Sequence, residues 1–185
     1  MRRRLSLLVV SLAALTVLGL GLAIGASARQ DTLATVKAVT ARFASIEQAE
    51  KAGYGVFYEC TVQPGVGTMG QHYANGDLVG DPAVDPRRPE VRVYEPLPNG
   101  SSKLVALEYV VLAPGALRTD PAPTVFGISM KWTPGPENVE GLPANRYGLP
   151  NFFQLHYWLD QPNPLGTFAD WNPTVSCHGT GDGGG

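Results

Sequence analysis

Histidine is scarce in these 185 residues: the chain holds only His72, His156 and His178. The first two fall in segments whose alternation predicts β-strands. A third predicted strand, Leu104-Val105-Ala106-Leu107-Glu108-Tyr109-Val110-Val111-Leu112, carries one carboxylate in an otherwise apolar run. Successive side chains along a strand point to opposite faces. His72 therefore shares a face with Thr68, Gly70 and Ala74, Glu108 with Leu104, Ala106 and Val110, and His156 with Phe152, Gln154 and Trp158. A strand as apolar as 104–112 has both faces buried, and a buried carboxylate without a partner is costly. Two imidazoles and a carboxylate are a set that binds zinc or non-haem iron and leaves positions for water and substrate.

His72, Glu108 and His156 are thus candidate ligands for one divalent transition metal. Tyr73, Tyr94 and Trp158 are candidate walls of a ligand pocket, and Glu95 or Glu90 is a candidate general base if the metal activates water. Two other readings use the same residues. Glu108 pairs with Arg92, or accepts from Tyr73, Tyr94 or Trp158, and the histidines are ordinary hydrogen-bonded residues; or the pocket binds a small molecule without metal. No short motif such as HxH or HExxH separates these readings, and the cupin spacing is absent. A shared site requires the ring nitrogens of His72 and His156 to lie within about 8 Å, because ligands sit about 2 Å from one zinc.

The elements that must position these residues are mostly strands. Alternation and turn formers predict strands near 54–59, 68–75, 91–95, 103–112, 124–132 and 152–159. Asn99-Gly100 predicts a hairpin between the third and fourth. All 16 prolines lie between Pro64 and Pro173, which excludes long helices there. Residues 133–151, with Pro134-Gly135-Pro136, Gly141-Leu142-Pro143 and Gly148-Leu149-Pro150, read as a long irregular loop. The helical stretch is 31–53, where Ala34, Val36, Val39, Phe43, Ile46 and Ala49 keep helical spacing. Ser45-Ile46-Glu47-Gln48 fits a capping box, so a second helix restarts there. Asp77, Asp81 and Asp85 lack the spacing of a calcium-binding EF-hand and read as a solvated loop. No GxSxG string or phosphate-cradling glycine loop supports a serine hydrolase or a nucleotide-binding domain.

Residues 1–28 open with Met1-Arg2-Arg3-Arg4, continue without charge from Leu5 to Ala26, and close on Ala26-Ser27-Ala28. That is the layout of an export signal. The apolar run is also long enough for a retained membrane anchor, the one contact with a membrane that this reading includes. Either way the remainder is placed outside the cytoplasm. The chain carries 14 basic and 16 acidic residues, net −2. Without the three leading arginines it is more acidic, at about −5, which argues against nucleic acid as a partner. Cys60 and Cys177 are the only cysteines; an even pair in an exported chain predicts a disulfide. Residues 29–178 read as a single globular domain and 179–185 as a disordered glycine-rich tail.

Several strings, taken together, resemble a group of exported bacterial proteins of uncharacterised activity. They are Gly67-Thr68-Met69-Gly70-Gln71-His72-Tyr73, Pro89-Glu90 leading to Tyr94-Glu95-Pro96, Leu104 to Val111, Leu155-His156-Tyr157-Trp158, and Asn163 to Pro173 through Ser176-Cys177. The likeness covers roughly 40–178. It implies an exported bacterial protein and transfers no substrate and no catalytic residue. The fold expected is α+β: an N-terminal helical segment packed on a mostly antiparallel β-sheet or partly closed β-barrel, closed by one disulfide. The function expected is that of a secreted small-ligand or metal-binding domain. The alternatives are a metal-dependent enzyme of hydrolase or oxygenase type and a structural or interaction module of the cell envelope.

Overall fold

The computed structural model describes residues 29–30 and 32–178. The expected export signal over 1–28 and the glycine-rich tail over 179–185 lie outside them. Helix α1 covers 32–40, a 3₁₀ turn follows over Ala41–Phe43, and α2 spans Ile46–Lys51. The expected helical stretch is thus two helices with a break between. Ser45 stands at the N-cap of α2 in extended backbone, as its position in the sequence suggests, but its side chain makes no capping hydrogen bond. Gly53, at φ +85°, ends the segment in the left-handed conformation that glycine tolerates.

Six strands then form one antiparallel sheet in the order β1 (Gly55–Gln63), β2 (Gly67–Ala74), β3 (Val91–Pro96), β4 (Ser102–Leu112), β8 (Phe152–Trp158) and β7 (Lys131–Thr133). The sheet curls into a half-barrel. A one-turn helix, α3 (Gly76–Val79), leads from β2 toward β3, and Asn75 caps it by accepting from the N–H groups of Asp77 and Leu78. The Asn99-Gly100 hairpin joins β3 to β4 as expected, with Gly100 at φ +80°. The expected strand at 124–132 is instead three pieces. Phe126 and Gly127 both take positive φ, so β5 (Thr124–Val125) folds back on β6 (Ile128–Ser129) as a separate hairpin, and β7 joins the main sheet beside β8. The edge strand β1 pairs with β2 through three register irregularities, between Val56 and Val62.

The two faces of the sheet carry different cores. Val36 of α1 packs with Leu107, Tyr109, Phe126, Trp132 and Tyr157 on the outer face. Phe43, Ala49, Tyr54, Tyr73 and Tyr94 form a second cluster on that side. The inner face holds Val91, Val93, Ala106, Val110, Phe152 and Trp158, with Tyr147 and Leu149 of the long loop packed against them.

Two further ties fix the ends. Cys60 of β1 is bonded to Cys177 across 117 residues, and Glu95 accepts from the N–H of Ser176 beside it. A disulfide accords with an oxidising compartment outside the cytoplasm. Gly70, at φ +96°, lets β2 approach β3: a Cβ there would lie 2.7 Å from Val93 Cγ1 and 2.9 Å from the Tyr94 carbonyl oxygen.

Gly70→Ala combines a left-handed backbone with a backbone clash and is expected to cost about 2–4 kcal/mol, read as a lowered urea midpoint. Replacing both cysteines by alanine removes a cross-link that closes a very long loop and is expected to cost about 4–5 kcal/mol. A cysteine-free variant with an unchanged midpoint would contradict that.

Candidate metal centre

Strand register brings the chemistry of three separate segments together. Glu108 of β4 lies opposite His156 of β8 on one side and Val91 of β3 on the other. His72 of β2 lies opposite Val93 of β3. One whole strand therefore separates His72 from Glu108, which on a flat sheet would mean nearly 10 Å between strands. The curl of the sheet turns the inner face in on itself and closes that gap. His72 Nε2 is 3.6 Å from Glu108 Oε2, and His156 Nδ1 is 3.7 Å from Glu108 Oε1. One donor atom from each of the three residues lies within 4.8 Å of the other two, well inside the 8 Å limit set above. The two imidazole rings meet edge to face, 5.7 Å apart, and His156 stacks on the indole of Trp158.

The group is deeply buried: His156 is 0%, His72 2% and Glu108 5% exposed. None of the four ring nitrogens of His72 and His156 has a hydrogen-bond partner of good geometry, and His72 has only a weak approach from the Gly70 backbone. Buried polar atoms are seldom left in that condition, so this is the most exceptional chemical feature among the described residues. The partners that could have satisfied Glu108 are engaged elsewhere. Arg92 lies on the outer face, its guanidinium 3.6 Å from the Phe43 ring centroid and 4.3 Å from that of Tyr54, and it donates to the Tyr54 hydroxyl. Tyr94 donates to the carbonyl of Phe43, and Trp158 donates through Nε1 to the carbonyl of Ala169.

The expected walls are divided by the sheet. Trp158 shares the inner face with His156. Tyr73 and Tyr94 meet edge to face in the outer cluster, away from the three candidate ligands. A cavity of about 160 Å³ does open against His72 and Glu108, but Phe57, Val79, Val91, Val110, Tyr147, Leu149 and Phe152 line it. Tyr147 and Leu149 come from the long loop, whose shape is built from asparagine side chains. Asn145 donates to the carbonyls of Pro134 and Leu149 and accepts from the N–H groups of Tyr147 and Leu149. Asn151 donates to Ala116 and accepts from Gly135. Phe152 was legible from alternation with His156; Tyr147, inside an irregular loop, had no periodic signal.

Neither candidate base lines this cavity. Glu90, 1% exposed, accepts from the N–H of Val110, filling the place that β3 leaves open where Pro89 cannot extend the ladder. Glu95 holds Ser176.

Burial sets the charge state of the metal-free group. Desolvation lowers His72 to about 3, helped by the neighbouring His156 and weakly opposed by the Gly70 backbone. Desolvation also lowers His156 to about 4, with Asp170 opposing and Lys131 assisting. Glu108 is raised to about 8, first by desolvation and then by the charges of Asp170 and Glu90. At neutral pH the metal-free group is therefore two neutral imidazoles facing a protonated acid. Neutral imidazoles are the form that binds metal, whereas Glu108 must give up its proton to do so.

No protein-family model, curated protein or solved structure matches this chain. The functional reading therefore rests on the geometry.

The pH dependence has a definite sign. The folded state holds the Glu108 proton up to about pH 8, whereas the unfolded chain releases it near 4.5. Its contribution to stability is full below pH 4.5 and is lost as pH rises through 8. The histidines act in the opposite window: their contribution is full above about 6.5 and is lost as pH falls through 4 to 3. In chelator, Glu108→Gln should therefore gain melting temperature relative to the wild type as pH is raised from 5 to 9, as thermal melts would show. A difference independent of pH would refute the buried-acid assignment.

Proposed function

We propose that this chain is an exported metal-binding domain in which His72, Glu108 and His156 hold one divalent transition-metal ion. The observation that carries the reading is the meeting of four ring nitrogens without hydrogen-bond partners and a carboxylate on a buried, largely apolar face. A tetrahedral zinc site keeps ligand atoms about 3.3–3.5 Å apart. Each imidazole already stands 3.6–3.7 Å from the carboxylate, so small rotations would bring all three onto one ion. The ion would replace the missing hydrogen bonds with stronger contacts and would supply the positive charge that an ionised Glu108 lacks. The donor chemistry suits zinc or iron(II) and, with three ligands, leaves coordination open for a further group. Export is supported by the signal-like layout of residues 1–28 and by the Cys60–Cys177 bond. The likeness to exported bacterial proteins points the same way.

The test is elemental analysis of the mature protein, purified without a metal-binding tag, beside Glu108→Gln and the His72→Ala, His156→Ala double variant. Near-stoichiometric metal is expected in the wild type and none in the double variant. Because the double variant empties two core positions, the wild type supplies a second readout. After chelation, metal at a hundredfold excess over its dissociation constant should stabilise the protein by about 2.7 kcal/mol. That is a rise of roughly 5–10 °C in melting temperature for a domain of this size. Metal-free protein whose melting temperature ignores zinc, iron(II), manganese(II), cobalt(II) and copper(II) would overturn the reading.

A further inference from the structure

The cavity beside the three donors has a chemical character of its own. Its wall is hydrocarbon and aromatic, formed by Phe57, Val91, Val110, Tyr147, Leu149 and Phe152, and the residues along it that carry polar side-chain atoms are His72, Glu108 and Tyr147, the last with a hydroxyl. That hydroxyl is directed to Met69 Sδ, 3.4 Å away. No amide or cationic side chain lines the cavity. A sugar, an amino acid or a nucleotide would strand its polar groups there.

Size narrows the occupant further. At about 160 Å³ the space matches apolar cavities of about 150 Å³ that hold benzene. Its aromatic walls meet at angles that suit an inserted ring. Tyr147 is edge-on to Phe152 at 6.3 Å and tilted against Phe57 at 6.1 Å and His72 at 6.5 Å. Phe57, on the edge strand and 42% exposed, marks where the cavity reaches solvent.

Charge supplies the remaining constraint. A divalent ion held by two neutral imidazoles and one carboxylate keeps one positive charge, and in a hydrocarbon site that charge demands a compensating anion. The side chains around the cavity offer none besides Glu108 itself. We propose, building on the metal reading above, that the cavity seats a small aromatic monoanion: one six-membered ring bearing a single carboxylate or phenolate whose oxygen completes the coordination of the metal. The ring fills the space between Phe152, Val110 and Leu149, and the anionic oxygen lies at the end formed by His72 and Glu108.

The experiment uses the mature protein loaded with cobalt(II), whose visible bands report the ligands around the ion. Benzoate and phenol are titrated as probes, acetate as an anion without a ring, and 2-naphthoate as one too large for the cavity. Benzoate is expected to shift the cobalt bands with a dissociation constant roughly tenfold or more below that of acetate, the gain from burying one ring, while 2-naphthoate gains nothing over acetate. Leu149→Trp and, separately, Ala74→Leu narrow the cavity and should shrink the ratio of benzoate to acetate affinity toward one. Cobalt bands that appear but respond no better to benzoate or phenol than to acetate overturn the aromatic monoanion and leave the metal reading standing. Benzoate that raises the melting temperature equally with and without cobalt overturns the anchoring on the metal. Failure of cobalt to bind overturns both.

Discussion

Glu108 sits in the middle strand of three that converge on the site, inside an apolar run, and faces no cation. Most of what is unusual here depends on that single burial. A carboxyl group placed in such surroundings stays protonated or finds a positive partner. The one buried arginine among the described residues, Arg92, stands on the far side of the sheet between two aromatic rings. The protein turns the hydroxyl of Tyr94 and the indole N–H of Trp158 to backbone carbonyls. What remains in front of Glu108 is a pair of imidazoles, themselves lacking hydrogen bonds. A core of this kind would gain stability if valine or leucine replaced all three groups. The proposed metal site accounts for the retention of two bases and an acid there.

The remaining architecture divides labour between the faces of the sheet. The outer face takes the N-terminal helices and the Phe126 hairpin and holds ordinary core residues. The inner face holds the polar group, and the curl of the sheet is what lets β2 reach β4 across β3. Gly70 makes close contact between β2 and β3 possible just before His72. Glu90 keeps β4 hydrogen-bonded where β3 runs out. Neither residue touches the cavity, yet both determine where the imidazole and the carboxylate stand.

Much of this was legible in the sequence, and for identifiable reasons. A period of two put His72, Glu108 and His156 on definite faces of three strands, and their scarcity and setting singled them out. The same period separates Tyr73 from His72, because neighbours in a strand never share a face; naming Tyr73 a wall overrode its own alternation. Tyr94 obeys the same rule: one residue from Val93 and two from Arg92, it falls with Arg92 on the outer face. The split of 124–132 came from positive φ at Phe126 and Gly127; the glycine inside the strand pattern is a turn signal, whereas the bulky Phe126 gives none. Tyr147 and Leu149 were invisible because nothing periodic governs a loop held by asparagine side chains. The pairing of Cys60 with Cys177 needed only a count.

The edge of the sheet carries one more consequence. β1 exposes Val56, Phe57 and Val62 and has a paired neighbour only on the β2 side. An open edge with that many apolar side chains is ordinarily a template on which a second chain can lengthen the sheet and begin to aggregate. Three breaks of register within one nine-residue strand deny an incoming strand any regular run of donors and acceptors to match. An apolar strand beside the cavity can thus face water while offering a poor template for a seam.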